Sequence, residues 1–456
     1  MSKLTEMVQD YQIPKVCKVR QIFDSTRLKD VEGKMSALWK ASGISIKPGA
    51  RIAITGGSRG IAGYQRVMKH AVQLVKDAGG IPFIVPAMGS HGGGTAQGQE
   101  KMLENLGITQ KTVGAPVVSS MDVVEVTKTE LGLPVYIDKN AVEADGIILL
   151  NRVKTHTSIR EEFQSGLLKM MAIGLAKHKG AAMTHSLGTP NLGENMVRVG
   201  KAAIGALKIT AGIALIENGY EELADVYVLR QDQILEEEPK ILQRAVSMIP
   251  MICTPAIDAL IVRELGKDVS GTGMDPAVVG RPINRKPNEG PQVEALGVLR
   301  VTKRSDGNAS GTGMADFISR KLRAAINEEY TCVNSLTGMK PVVAAIPITL
   351  ETDRLVVQGC IKASGQIVNE KVKLVLIKNT KSLDEIYLSE TALKSVRELI
   401  RKNEFFPEKF PVNDGRNGVP ARKTCGLQGP VGIEICSDFE EVPFDGEGNL
   451  LLWEDS

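Results

Sequence analysis

Between Arg51 and Arg152 the apolar residues fall into short continuous runs separated by stretches of helical spacing. The run Arg51-Ile-Ala-Ile-Thr55, ending in Gly56-Gly57, predicts a buried strand. From Tyr64 the apolar positions Val67, Ala71, Leu74, Val75 and Ala78 share one helical face, and Gly79-Gly80 predicts its end. Ile81–Pro86 reads as the next strand, Thr95–Leu106 as the next helix and Asp145–Leu150 as a third buried strand. Continuous apolar strands alternating with helices predict a parallel sheet covered on both faces.

From Asn191 a second amphipathic helix carries Leu192, Met196, Val199, Ala203 and Leu207 on one face. Strands are expected at 212–216 and 226–229, and a charged helix around 233–246. Pro250 and Pro255 suggest a boundary, giving a first domain over 1–250, a second over 251–405 and an irregular segment over 406–456. The second domain mixes strands at 257–262, 342–346 and 371–377 with helices at 314–326 and 391–402. Ser270-Gly-Thr-Gly-Met274 recurs forty residues later as Ser310-Gly-Thr-Gly-Met314, which suggests paired glycine turns. The expected class is α/β with two domains, a Rossmann-like parallel sheet followed by a smaller α/β domain. The Pro/Gly-rich end is expected to wrap the surface or return to the first domain.

Composition narrows the function classes. The 456 residues are 43% hydrophobic and 24% charged, ordinary values for globular domains. A net charge of +3, from 56 basic and 53 acidic side chains without a concentrated basic tract, argues against nucleic acid as a partner. The six cysteines are scattered without a Cys-x-x-Cys pair, the usage of a reduced cytoplasmic protein, and zinc-ribbon or ferredoxin patterns are absent. No signal-peptide core or apolar run of roughly eighteen residues is seen, so no membrane partner is expected. A homo-oligomer remains compatible with the sequence.

Open parallel sheets bind ligands beyond the carboxyl ends of their strands. Three loops qualify: Gly56-Gly-Ser-Arg59-Gly-Ile-Ala-Gly63, Gly89-Ser-His91-Gly-Gly-Gly-Thr95 and Asn151-Arg-Val-Lys154-Thr-His156. The chain has five histidines, and His91, His156, His178 and His185 lie in or just beyond these loops. Each has an ordinary explanation: a turn cap for His91, an exposed loop for His156, a solvated face for His178 and a helix end for His185. Lys169 stands in the apolar stretch Ser165-Gly-Leu-Leu-Lys-Met-Met171, where a lysine either snorkels to water or acts as a covalent anchor. Joint placement on one ligand edge is what favours function. The glycine loops fit neither the dinucleotide nor the P-loop fingerprint.

The ordered set Arg59, His91, His156, Lys169 and His185 resembles the nickel-dependent lactate racemase family and its 2-hydroxyacid racemase and epimerase relatives. The resemblance implies a nickel pincer nucleotide joined to Lys169, within Ser165-Gly166-x-x-Lys169. It implies His185, sixteen residues on in Thr184-His185-Ser186, as the nickel ligand. It further implies His91 and His156 as paired acid/base groups and Arg59 as the grip on the substrate carboxylate. Ser165, Gly166, Ser90 and Gly92 would surround the cofactor, and Lys267 would stand for the family's second-domain lysine. The family's Asp-x-[Thr/Ser]-Arg loop is Gly56-Gly-Ser-Arg59 here, and the stretch from His156 to Ser165 is about three residues longer than the pattern. These departures suggest a 2-hydroxy acid other than lactate, a sugar acid for example. Arg152, Lys154 and Arg160 near the loop would suit a more highly charged or hydroxylated substrate.

Hydride transfer to a pyridinium suits inversion of a barely acidic C2–H, provided a base takes the hydroxyl proton. Two rival readings use the same residues differently. A metal-dependent hydrolase or lyase would gather His91, His156 and His185 around a divalent ion. A non-enzymatic cofactor or metal carrier would need Lys169 and His185 but not His91.

Overall fold

The computed structural model of the chain describes residues 2–58, 60–156, 159, 161–185, 191–283, 290–337, 340–402 and 432–453, with backbone alone at 185, 337 and 402. The chain forms two compact units, Ser25–Met248 and Met1–Asp24 with Ile249–Ser456. Helix α1 (Lys3–Val8) and strand β1 (Val16–Ile22) open the chain. The sequence pattern groups these residues with the first domain, yet β1 pairs with strands of the C-terminal half.

The unit Ser25–Met248 begins with α2 (Val31–Ser42), β2 (Arg51–Gly56), α3 (Tyr64–Asp77) and β3 (Ile81–Pro86). Then come α4 (Ala96–Asn105), capped by Thr95, and the short α5 (Gln110–Val113). A two-stranded hairpin follows, β4 (Val123–Lys128) with β5 (Pro134–Asp138), then α6 (Lys139–Val142) and β6 (Gly146–Arg152). The single turn α7 (Leu167–Lys169) runs into a π-helical turn, Met170–Gly174, and then α8 (Lys177–His185) and α9 (Leu192–Ala206). Strands β7 (Ile209–Glu217) and β8 (Leu223–Leu229) and helix α10 (Ile234–Ser247) complete it.

Among the described residues these strands form a five-stranded sheet in the order β3-β2-β6-β7-β8. β3, β2, β6 and β7 are parallel, and β8 is an antiparallel edge. One face is covered by α2 and α3, whose Met35, Trp39, Met68 and Val72 join Ile52, Ile148 and Ile213 in a dry core. On the other face Gly212 of β7 lies close against Leu167 and Ile234, leaving no room for a side chain. The chain leaves β2 toward β3 and leaves β6 toward β7. The crevice at which these loops part lies between the carboxyl ends of β2 and β6.

Among the described residues the other unit carries an eight-stranded sheet, order β12-β11-β10-β9-β13-β14-β1-β15. Its strands are β9 (Ala256–Leu265), β10 (Gln292–Val301), β11 (Phe317–Ser319), β12 (Ile348–Leu350), β13 (Leu374–Ile377), β14 (Glu385–Ser389) and β15 (Gly432–Ile435). Five are parallel, and β14, β1 and β15 are antiparallel. The expected strand at 342–346 is instead a 3-10 turn, and the expected helix at 314–326 splits into β11 and a short helix, Arg320–Ala325. The two Ser-Gly-Thr-Gly-Met turns follow the adjacent strands β9 and β10 and interlock, since a side chain at Gly273 would strike the Ser310 carbonyl and one at Gly311 the Thr272 carbonyl. The final segment is described from 432, where β15 adds to β1; residues 406–431 lie outside the described residues. No helix among the described residues is long and apolar enough to cross a membrane.

Candidate active site

The loop after β3 is built from glycines that turn left-handed, Gly89, Gly92, Gly93 and Gly94. Side chains could not replace all of them, because a Cβ at Gly92 would fall 2.6 Å from the Gly98 carbonyl carbon. The turn lifts Ser90 and His91 into solvent. His91 Nδ1 then lies 2.6 Å from Ser58 Oγ on the loop after β2. That contact joins two of the three loops predicted to form the site. Arg59, the next residue, lies outside the described residues.

Beyond β6, Lys154 and Ser165 exchange backbone hydrogen bonds of 2.9 and 3.1 Å and close a loop with His156 on it. The His156 N–H donates to Gln164 Oε1 at 2.8 Å, and its Nδ1 accepts the Ile159 N–H at 3.2 Å. An accepting Nδ1 puts the proton of the neutral ring on Nε2. Arg152 is ion-paired with Glu217 in a largely buried setting, so its charge is already matched. Arg160 lies outside the described residues.

Ser165 and Gly166 lead into α7. Asn151 at the end of β6 donates to the Gly166 carbonyl at 2.8 Å. The glycine is required by close approach, since a Cβ there would sit 2.0 Å from Glu238 Oε1. Glu238 reaches in from α10, fully buried, and its Oε2 accepts the Leu168 N–H at 2.9 Å. It caps a single helical turn whose other residues, Leu167 and Leu168, are buried, and that turn presents Lys169. Lys169 is half-buried, with Nζ 3.3 Å from Ser165 Oγ.

The π-helical turn then touches both loops. Met170 lies under Gly57, where a Cβ would meet its methyl at 3.4 Å, and Gly89 donates its N–H to the Gly174 carbonyl at 3.0 Å. Thr184, buried at the end of α8, places its hydroxyl 3.4 Å from the Ala172 carbonyl and so pins that end to the π turn. His185 follows as the last residue of α8, and its side chain lies outside the described residues. His178 is exposed and packs beside Gly94. Lys267 belongs to the other unit, where its ammonium donates to the Gly271 carbonyl and to Asn334 Oδ1.

The profile of a family described as a domain of unknown function (DUF362) matches residues 45–228. That span falls inside the unit that carries His91, His156 and Lys169. No curated protein matches the chain. Among solved structures, the lactate racemase apoprotein from Thermoanaerobacterium thermosaccharolyticum is similar at 14% identity and a TM-score of 0.40, over 62% of this chain and 74% of that one. A structural-genomics protein from Thermotoga maritima is similar at 14% identity and a TM-score of 0.45, over 73% of this chain and 83% of that one.

Three features bear on whether the residues could hold a lysine-bound cofactor. The Lys169 amine is the terminal group of a rigidly capped turn rather than of a loop. The π-helical turn that follows is a local departure of a kind often found at functional sites. Asn195 is fully buried on α9, the helix packed against α7 and this turn, and neither its Oδ1 nor its Nδ2 has a hydrogen-bond partner among the described residues. An orphaned amide there is an unmet polar demand that a bound polar group could answer. The described residues therefore fit such a group. Among the described residues no three His, Cys, Asp or Glu side chains gather as a metal-binding cluster. A cavity of about 730 Å³ lies beside the loop after β2, lined by Gly60, Ile61, Tyr64, Arg66 and Lys69, and none of the candidate histidines lines it.

Glu238, Lys177, Gln99 and Asn195 are absent from the sequence-derived set. Glu238 had a signal, for it shares the apolar face of α10 with Ile234, Ile241, Leu242 and Ala245. Burial pushes its carboxyl up to about 8, against the pull of the Leu168 and Leu167 N–H groups. The folded state thus keeps a proton that the unfolded chain loses near its ordinary value of 4.5. Stability should fall as pH rises through that window and level off above it, by roughly 2–4 kcal/mol in all. Urea titrations from about pH 5 to about pH 9 should show this decline. Glu238→Gln should flatten it.

Proposed function

We propose that the chain is a racemase or epimerase that inverts C2 of a 2-hydroxy acid with the help of a nickel pincer nucleotide joined to Lys169. The observation that carries this reading is the meeting of Lys169's capped turn with the His91 and Ser58 loops at the crevice of the parallel sheet. The ordered motifs around Arg59, His91, His156, Lys169 and His185 supply the family pattern, and the buried Asn195 amide on α9, the helix packed against the turn, is a further polar group with no hydrogen-bond partner among the described residues.

When bound, the cofactor would supply nickel and a pyridinium ring able to take up and return the C2 hydride. The chain's own groups would do the rest. His91, with Nδ1 engaged at Ser58, would use its other ring nitrogen to take the hydroxyl proton from one enantiomer. His156, with Nδ1 accepting from Ile159, would serve the opposite face through Nε2. Arg59 would hold the carboxylate by a two-pronged contact. His185 would give nickel its protein ligand. The preferred substrate class is a 2-hydroxy acid other than lactate, sugar acids included.

The test is a panel of single-enantiomer 2-hydroxy and aldonic acids given to cofactor-loaded protein in D2O. At least one should be inverted at C2 without taking up solvent deuterium there, because the hydride returns to the carbon it left. Inversion with deuterium at C2 would point to a carbanion and contradict the reading.

A further inference from the structure

The roles above leave unused a fully buried ammonium. Lys177 opens α8 with a left-handed backbone, φ 54°, and its side chain is 0% exposed. Its Nζ donates to the Pro86 carbonyl at the end of β3, lies 3.1 Å from Gln99 Oε1 and forms an ion pair with Asp138 Oδ2 at 3.1 Å. Burying a lysine this completely is costly unless its charge and donors are met. Two hydrogen bonds, to Pro86 and Gln99, and the ion pair with Asp138 offset that cost, the last through charge rather than hydrogen-bond geometry.

The second link is chemical. Gln99 is buried too, on α4, and an ammonium can only donate. Its amide oxygen must therefore face Lys177, and its NH2 must face the other way. There Nε2 donates to the Gly89 carbonyl at 2.9 Å and to the His91 carbonyl at 3.2 Å. Those carbonyls belong to the turn with four left-handed glycines, which has more backbone freedom than most loops and only weak hydrogen bonds of its own, such as Gly94 N–H to the His91 carbonyl at 3.3 Å.

We propose that Lys177 is a positioning residue for His91, acting through Gln99: the buried ammonium fixes the amide's orientation, the amide clamps the turn's carbonyls, and the clamp holds the imidazole against Ser58. Asp138, with its Oδ1 capping α6 through the Ala141 N–H at 3.1 Å, anchors the ammonium from the opposite side. The importance of this clamp for turnover rests on the proposed role of His91. The clamp itself does not.

Its test therefore begins with the full chain free of substrate. Histidine-labelled protein is compared with Gln99→Glu, Gln99→Leu and Lys177→Met by nitrogen NMR and amide hydrogen exchange. Gln99→Glu keeps an acceptor for Lys177 but cannot donate to the carbonyls. The native His91 ring should show one dominant tautomer. In each folded variant the tautomers should average, and amides of 89–94 should exchange about tenfold faster, the effect of losing two hydrogen bonds of ordinary net strength. Amides of α3 should be unchanged. If Lys177→Met does not fold, the two Gln99 variants decide. An unchanged His91 spectrum and unchanged exchange in folded Gln99→Glu would overturn the clamp. In cofactor-loaded protein kcat should drop with KM held. A moved spectrum with unchanged kcat would leave the clamp standing and remove His91 from the reaction.

Discussion

Replacing Lys169 by alanine is expected to abolish inversion of 2-hydroxy acids and to leave the protein folded. The side chain is half-buried at the surface of its capped turn, and the capping contact joins the Glu238 carboxyl to the Leu168 backbone N–H without using the Lys169 side chain. Truncation thus removes an amine and its stem without opening the core beneath, where Leu167 and Leu168 are buried. The thermal midpoint should move by no more than a surface substitution does, within about 0.5 kcal/mol of the parent. Activity should fall to the uncatalysed background, because no other group on the turn can carry the covalent link. Lys169→Arg should be equally inactive, since a guanidinium keeps the charge but is a poor nucleophile at neutral pH. Circular dichroism with a chiral assay of the product checks both halves. A fully active Lys169→Ala protein would remove the anchor role.

His91→Ala should give the second largest effect, and a different one. General acid–base groups contribute about 10²–10⁴-fold, so kcat should fall by that factor, roughly 3–5 kcal/mol in barrier, with the cofactor still attached. His91 is exposed and its ring touches Ser58, so little stability is at stake. The substitution also separates the readings. An acid/base histidine makes the variant slow but loaded, whereas in a cofactor carrier it would change nothing. His156→Ala should lower kcat/KM by the same factor in both directions, because the equilibrium constant fixes their ratio and each inversion would need both rings.

Much of the unit that holds these residues was legible in its apolar pattern. The strand expected at 51–55 is β2, that at 81–86 is β3 and that at 145–150 is β6, while Thr95 caps the predicted helix. Continuous apolar runs bounded by glycine announce buried parallel strands without tertiary information. The β4–β5 hairpin gave no such signal, because β4 is only partly buried and its polar and apolar residues alternate weakly. In the other unit a short apolar run can be strand, helix or turn, and 342–346 became a turn.

The site was legible only in its exposed groups. His91 and Lys169 stand out because imidazole and ammonium are chemically conspicuous in glycine-rich or apolar surroundings. The groups that hold them do not. Lys177 lies in a Lys-His-Lys run that reads as solvated, and Glu238 lies in a Glu-Glu-Glu-Pro-Lys run that reads the same way. Burial reverses both readings, and burial depends on which elements meet. Gln99 is less visible still, since its role depends on an ammonium donating to one end of its amide and two carbonyls receiving from the other.

The central claim is that Lys169 carries the cofactor, and intact-mass spectrometry of protein made in a host able to build that cofactor tests it most directly. The predicted result is an added mass that maps to the peptide containing Lys169, with about one nickel per chain by elemental analysis. An unmodified, nickel-free chain from that host, or an adduct on a different lysine, would contradict it.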